Sequence, residues 1–198
     1  SFDQTYQDIC LLLDLPEVRP ETLHEKSKWA MSEIEGICGG RFVFYGGGKV
    51  TFKTENAEYS ANSMAEGFRK AGILSRLLET GAIQPGVSGP LFWDEPESNL
   101  NPKLMKLLVQ ILLELSRNGQ QIILATHDYV LLKWFDLLMD KGKDDHVRFH
   151  SLYRDADTSE IKVASTEDYL KITPNPIDEA FGFLINQEIE NDMGGLGK

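Results

Sequence analysis

The chain has 198 residues, 41% of them apolar and 26% charged, the balance of a globular domain with one good core. A formal net charge of −11 excludes nucleic-acid binding over the whole surface but leaves room for a local basic strip. No apolar run is long enough to span a membrane, no signal peptide opens the chain, and Cys10 and Cys38 have neither disulfide nor metal spacing, so no membrane partner and a cytoplasmic location are expected.

Helices are expected from Thr5 to about Leu15 and from Glu21 to about Ile37. Leu15-Pro16 and Arg19-Pro20 break them, because a residue before proline is pushed out of the helical region. Arg41 to Tyr45 and Lys49 to Lys53 alternate as two strands around Gly46-Gly47-Gly48, a hairpin with turn residues at its centre. The segment Ser63 to Glu79 reads as a helix opened by a capping box, Ser63-x-x-Glu66. Leu91-Phe92-Trp93 reads as a short buried strand that ends in acids. A helix then opens at Asn101-Pro102, a cap followed by a proline suited to the first turn. Its apolar face is Leu104, Leu107, Leu108, Ile111, Leu112 and Leu115, and Gly119 stops it. Gln121 to Ala125 is a continuous apolar run of the kind found in parallel strands buried on both faces. Beyond it, His146 to Tyr153 and Glu160 to Val163 read as edge strands, Asp178 to Glu190 as a helix, and the glycine-rich end as a mobile tail.

The chemistry concentrates where strands end. Asp94-Glu95 closes a buried strand at the carboxyl edge of the sheet, where open α/β folds bind ligands. Neighbouring side chains on a strand diverge, so Asp94 can serve a magnesium ion while Glu95 orients or deprotonates a water; an acidic surface turn is the other reading. The next strand ends at Thr126-His127, and a histidine there can hydrogen-bond a phosphate or simply close the strand. Ser63-Met64-Ala65-Glu66-Gly67 opens a helix, and the free amides of a helix N-terminus suit phosphate, although a plain capping box would look the same.

The order of these segments resembles the ABC-type ATPase fold, in the branch that includes SMC-like repair proteins, overcoming-lysogenisation-defect nucleases and anti-phage ATPases. The resemblance runs from Ser63 to His127, and Asp94-Glu95-Pro96-Glu97-Ser98-Asn99-Leu100-Asn101-Pro102 is its most specific part. It implies an α/β fold, a P-loop NTPase lobe with parallel core strands, an N-terminal helical segment and an antiparallel hairpin. The implied organisation is a helical segment at 1–40 and a C-terminal lobe at 41–198, with hairpin 41–53, signature helix 63–79, Walker B 90–95, D-loop 98–102 and switch residue His127. It further implies ATP and Mg2+ as ligands. Asp94 then serves the metal, Glu95 is the catalytic base, and His127 contacts the γ-phosphate. Ser63, Ala65, Glu66 and Gly67 grip the nucleotide of a second copy, with Asn99 and Asn101 along the seam of an ATP-sandwich dimer.

Three departures stand out. Met64-Ala65 replaces a glycine pair, and Asn101 stands where aspartate is usual. Most important, no Gly-x4-Gly-Lys-Ser/Thr loop is present to cradle the phosphates. Gly46-Gly47-Gly48-Lys49 does not qualify, because Val43 and Val50 occupy the required glycine and hydroxyl positions. The chain opens at Ser1-Phe2 without methionine, so a fragment lacking an N-terminal Walker A lobe, inactive alone, is expected. The implied activity is ATP hydrolysis coupled to dimerisation in a process such as DNA repair or phage defence. A degenerate nucleotide-binding assembly module without significant turnover remains the alternative, and a nuclease regulator a third reading. His146 and His150 lie about 13 Å apart along a strand, too far for one metal. Asp144, Asp145, Asp155 and Asp157 read as solvated turn acids, and Arg69, Lys70 and Arg76 as solvated helix charges.

Overall fold

The apolar run beginning at Leu104 sits at the centre of the packing in the computed structural model, which describes residues 4–195. One unit ends at Thr126 and a second begins at His127. The first contains α1 (Gln4–Leu13), α2 (Glu25–Cys38), β1 (Arg41–Phe44), β2 (Val50–Lys53), β3 (Glu58–Ser60), α3 (Glu66–Glu79), β4 (Leu91–Asp94), α4 (Pro102–Arg117) and β5 (Ile122–Ala125). The second contains α5 (Tyr129–Leu138), β6 (Phe149–Arg154), β7 (Ile161–Thr166) and α6 (Pro176–Gly195).

Helix α4 starts as its sequence dictates: the Asn101 side chain accepts from the Lys103 amide at 2.9 Å, and Pro102 needs no donor there. It buries Leu104, Leu107, Leu108, Val109, Ile111, Leu112 and Leu115 among others, far more than one stripe. Ala30 and Ile34 of α2 and Leu74 and Leu78 of α3 complete this core. On its rim Lys26 meets Glu114 at 2.8 Å, and that hydrogen bond holds the Glu114 carboxyl below its ordinary range. Helix α2 begins four residues later than expected, where the His24 ring accepts from the Lys26 amide at 3.1 Å.

The expected hairpin is present. β1 and β2 pair antiparallel, and the Tyr45 amide meets the Lys49 carbonyl at 3.0 Å across Gly46, Gly47 and Gly48, all at positive φ. Sequence patterning misses the third strand, β3, because three residues are too few to show a period. Its Glu58 accepts hydrogen bonds from Thr51 (2.6 Å) and Tyr45 (2.7 Å), which together lower its pKa.

Strands β4 and β5 form a parallel pair in the register Leu91↔Ile122 to Asp94↔Ala125, joined through α4. Burial on both faces does not hold. Phe92 is 69% and Ile123 43% exposed, while Leu91, Trp93, Ile122 and Leu124 are half-buried. A two-stranded pair has only one face against the helices. Gln120, 1% exposed, anchors the opposite end of this pair. Its amide donates to the Gly89 carbonyl (2.7 Å) and accepts from the Ser88 hydroxyl (2.7 Å).

Arg76 is not a solvated charge. It is 6% exposed and donates to the carbonyls of Leu13 (3.0 Å) and Leu15 (2.9 Å), closing the end of α1, and pairs with Glu79 at 2.6 Å. Long guanidinium reach lets one buried side chain satisfy several orphan carbonyls, which charge patterning alone does not reveal.

In the second unit, helix α5 is an element beyond those expected from the sequence. Its signal is Asp128, whose carboxylate accepts from the Leu131 amide at 2.7 Å, followed by Leu131 and Phe135 at helical spacing. The expected strands at 146–153 and 160–163 become β6 and β7, paired with each other from Phe149↔Thr166 to Arg154↔Ile161. His146 lies outside the strand and pairs with Asp144 at 3.1 Å, while His150 meets Ser165 at 2.7 Å. Tyr169, 2% exposed, packs edge-on to Phe149 and donates to Asp178 at 3.1 Å; burial raises its pKa. The expected mobile tail is partly helical, since α6 extends to Gly195; residues 196–198 lie outside the described residues. Among the described residues no helix is long and apolar enough to cross a membrane.

Replacing Gln120 by leucine removes its buried hydrogen bonds to Ser88, Gly89 and Gln121, so unfolding in urea is expected to show a loss of about 1–3 kcal/mol. A second prediction concerns acid. Asp155 accepts from Lys162 and from the Thr158 and Asp157 amides, and the lysine above all lowers its pKa from 3.8 to about 2. A depressed folded-state pKa stabilises above the ordinary value and loses that contribution as pH falls from about 4 to about 2. Asp155→Asn is therefore expected to flatten the fall of melting temperature over that window.

Candidate functional site

Beyond the last β4–β5 rung the two strand ends stay coupled. The Glu95 amide donates to the Ala125 carbonyl at 2.8 Å, and the Thr126 hydroxyl donates to the Glu97 carboxylate at 2.6 Å. Asp94 is exposed and Glu95 half-buried at this edge. The chain then turns tightly through Ser98 N–H to Glu95 C=O (3.1 Å) and Leu100 N–H to Glu97 C=O (2.8 Å). Glu95 and Asn99 hold positive φ values of 45° and 60°. Such conformations are sparsely populated by residues with a Cβ and persist only where surrounding contacts enforce them.

The enforcing contacts come from α3. The Lys70 ammonium donates to the Glu95 carbonyl at 3.2 Å, and the Asn99 amide donates to the Glu66 carboxylate at 3.0 Å. Between them, Gly67 lies directly on the loop: a Cβ there would meet the Asn99 carbonyl at 2.7 Å and the Leu100 Cα at 3.1 Å. Residues 66, 67 and 70 thus form one helical face seated on residues 95–101. Lys70, read from sequence as a solvated charge, is half-buried in this contact.

The expected capping box is absent. Ser63 ends a 3-10 turn, Ala61–Ser63, whose cap is Ser60, and α3 begins only at Glu66 with Ala65 at its cap position. Alanine offers no side-chain acceptor, and Glu66 is engaged by Asn99 instead of reaching back. The first-turn amides of α3 therefore have no side-chain cap, while Ser63, Ala65 and Glu66 are all exposed. Asn101 is committed to capping α4, so its side chain has a structural duty.

The structure brings Glu66, Gly67, Asp94, Glu95, Asn99 and Asn101 into one neighbourhood. Ser63 stands three residues before α3, and His127 is the exposed first residue of the second unit. Sequence reasoning missed Glu97, Thr126 and Lys70. The glutamate immediately after Asp94-Glu95-Pro96 was the available signal, but only the fold pairs it with Thr126.

Chemically, the edge offers hard oxygen donors and uncapped helical amides. Among the described residues no group of three or more His, Cys, Asp or Glu converges as a metal cage. Asp94 with few protein ligands fits magnesium, which keeps water and substrate phosphate oxygens in its shell. The bare α3 N-terminus fits a phosphate. Gly46 to Lys49 spans β1 and β2 as a hairpin turn, not a strand-to-helix phosphate loop.

Because the three atoms nearest a Cβ at Gly67 are all backbone, Gly67→Ala is expected to force α3 off the loop. Chemical denaturation should register a loss of about 1–3 kcal/mol.

Residues 51–133 match the family described as "AAA domain, putative AbiEii toxin, Type IV TA system". No curated protein matches the chain. A solved structure from "Structural biochemistry of ATP-driven dimerization and DNA stimulated activation of SMC ATPases" superposes with a TM-score of 0.50 at 16% identity, over 83% of this chain and 92% of the other. The SMC head domain from Thermotoga maritima gives 0.51 at 15% identity, over 81% of this chain and 51% of the other. The Smc head domain with a coiled coil and joint from Pyrococcus yayanosii gives 0.52 at 16%, over 81% of this chain and 29% of the other. The chain thus spans about half of the Thermotoga maritima chain and under a third of the Pyrococcus yayanosii chain. In fold the chain is similar to SMC ATPase head domains, and the family match covers less than half of its length.

Proposed function

We propose that this chain supplies the hydrolytic and partner-facing half of an ATP-hydrolysing site that closes between two copies. One observation carries the reading: the uncapped N-terminus of α3 is braced directly onto the loop that follows the strand-end carboxylates Asp94 and Glu95. Magnesium supplies charge neutralisation on the phosphates when bound. Asp94 holds it, and Glu95 orients the attacking water and accepts its proton. His127 contacts the γ-phosphate. Ser63, Ala65, Glu66 and Gly67 face the nucleotide of the second copy through the helix start, and Asn99 and Asn101 line the seam. The phosphate-gripping loop must come from a polypeptide segment outside these 198 residues, since none of them carries its motif.

The ATP-driven dimerization and DNA-stimulated activation named for the SMC ATPases support a dimeric working state and make DNA a reasonable effector to try. A module that assembles around nucleotide without turnover is the second reading. The engagement of Asn101 in the α4 cap and the displacement of Ser63 from the α3 cap favour it.

Turnover separates the two. This chain alone is expected to hydrolyse no ATP. Joined to the lobe bearing the phosphate-gripping loop, it should do so, and Glu95→Gln should lower kcat by roughly 10²–10⁴-fold with ATP still bound. Robust turnover by the isolated chain, abolished by the same substitution, would overturn the two-part site. ATP binding with no turnover before or after the change would establish the assembly module.

A further inference from the structure

Glu97 sits in the turn between β4 and α4 at 7% exposure, behind the buried Pro96. One carboxylate oxygen accepts from the Thr126 hydroxyl at 2.6 Å. The other, Oε2, is buried and has no hydrogen-bond partner among the described residues. An orphaned buried carboxylate oxygen costs stability, so a side chain kept solely to tie the turn to Thr126 would do so at less cost as a neutral glutamine.

The location gives the cost a use. The backbone ladder ends at Asp94↔Ala125, and the Glu95 amide adds one further bond to the Ala125 carbonyl. Glu97 and Thr126 add the next rung through side chains alone. This rung links the loop that carries Glu95 to the residue immediately before His127.

Resting on the ATPase reading above, we infer that Glu97 is a positioning residue whose second oxygen receives an O–H or N–H donor supplied only when the site assembles around MgATP. In the isolated chain one bond to Thr126 holds the carboxylate. In the assembled state two bonds fix the turn, and with it Glu95, relative to the end of β5. The carboxylate touches no reacting atom and acts through the backbone on either side of it.

Glu97→Gln keeps an acceptor for Thr126 and replaces the orphaned oxygen with a neutral group. Thermal unfolding of this chain is expected to show an unchanged or raised melting temperature. In the complete ATPase, the same substitution should lower kcat roughly tenfold, with KM for ATP changed less than about twofold. Thr126→Val, which removes the other half of the rung, should lower kcat in the same sense. A melting temperature that falls with Glu97→Gln, or a kcat that does not change, overturns the inference. If the wild-type complex proves to have no turnover, the ATPase reading fails separately, and MgATP-dependent assembly followed by light scattering becomes the readout. Weakened assembly at retained thermal stability then supports the role of Glu97. Unaltered assembly, or no assembly by wild type, overturns it.

Discussion

Helix α4 is out of water over most of its circumference, and that burial governs what surrounds it. A helix with one apolar stripe can be covered from one side, whereas α4 needs neighbours around it. Helix α2 packs directly on α4 and α3 packs in turn on α2, while β4 and β5, the strands on either side of α4 in the chain, pair with each other. Burying Leu104 to Leu115 therefore fixes where both strand ends emerge, because each strand lies only a short turn from α4. The Asn101 cap and Pro102 set the first helical residue, so the loop after Glu95 has only a few residues in which to reverse direction.

That short reversal explains the backbone conformations around the carboxylates. Glu95 and Asn99 adopt positive φ because the turn is tight, and contacts from α3 hold them there. Lys70 engages the backbone of one and Glu66 the side chain of the other, while Gly67 allows the separation both need. The uncapped start of α3 is thus mechanically joined to the loop that follows the strand-end carboxylates Asp94 and Glu95. A displacement of α3 of even a fraction of an ångström must be felt by residues 95–101, since Gly67 already lies against their backbone.

Some of this was legible before any fold was known. Helix α4, its cap and its stop follow from spacing, from Asn101-Pro102 and from Gly119. The glycine hairpin follows from turn chemistry, and the paired carboxylates follow from their place at the end of an apolar strand. Other features were not legible because several arrangements share one local pattern. Ser63-x-x-Glu66 fits a capping box, but Glu66 is drawn to Asn99, thirty-three positions away, and the helix begins later. Arg76 and Lys70 look like surface charges until the carbonyls of Leu13, Leu15 and Glu95 come within reach. Helix α5 carries a local signal of its own, the Asp128 cap followed by Leu131 and Phe135, within a run that is apolar on nearly every side.

By itself, the sequence determined the types of the main elements of the first unit and the order along the chain of the segments that carry Asp94, Glu95 and His127. Those are properties of period, cap and turn, which depend on residues close in the chain. Tertiary structure alone decided how the loop that begins at Glu95 is held: at Glu95 by Lys70 and Ala125, at Asn99 by Glu66, and at Glu97 by Thr126. Each of those contacts joins residues about thirty positions apart. Hydrogen bonds over such separations are chosen by the packing of α4 against its neighbours, and no local pattern encodes that choice.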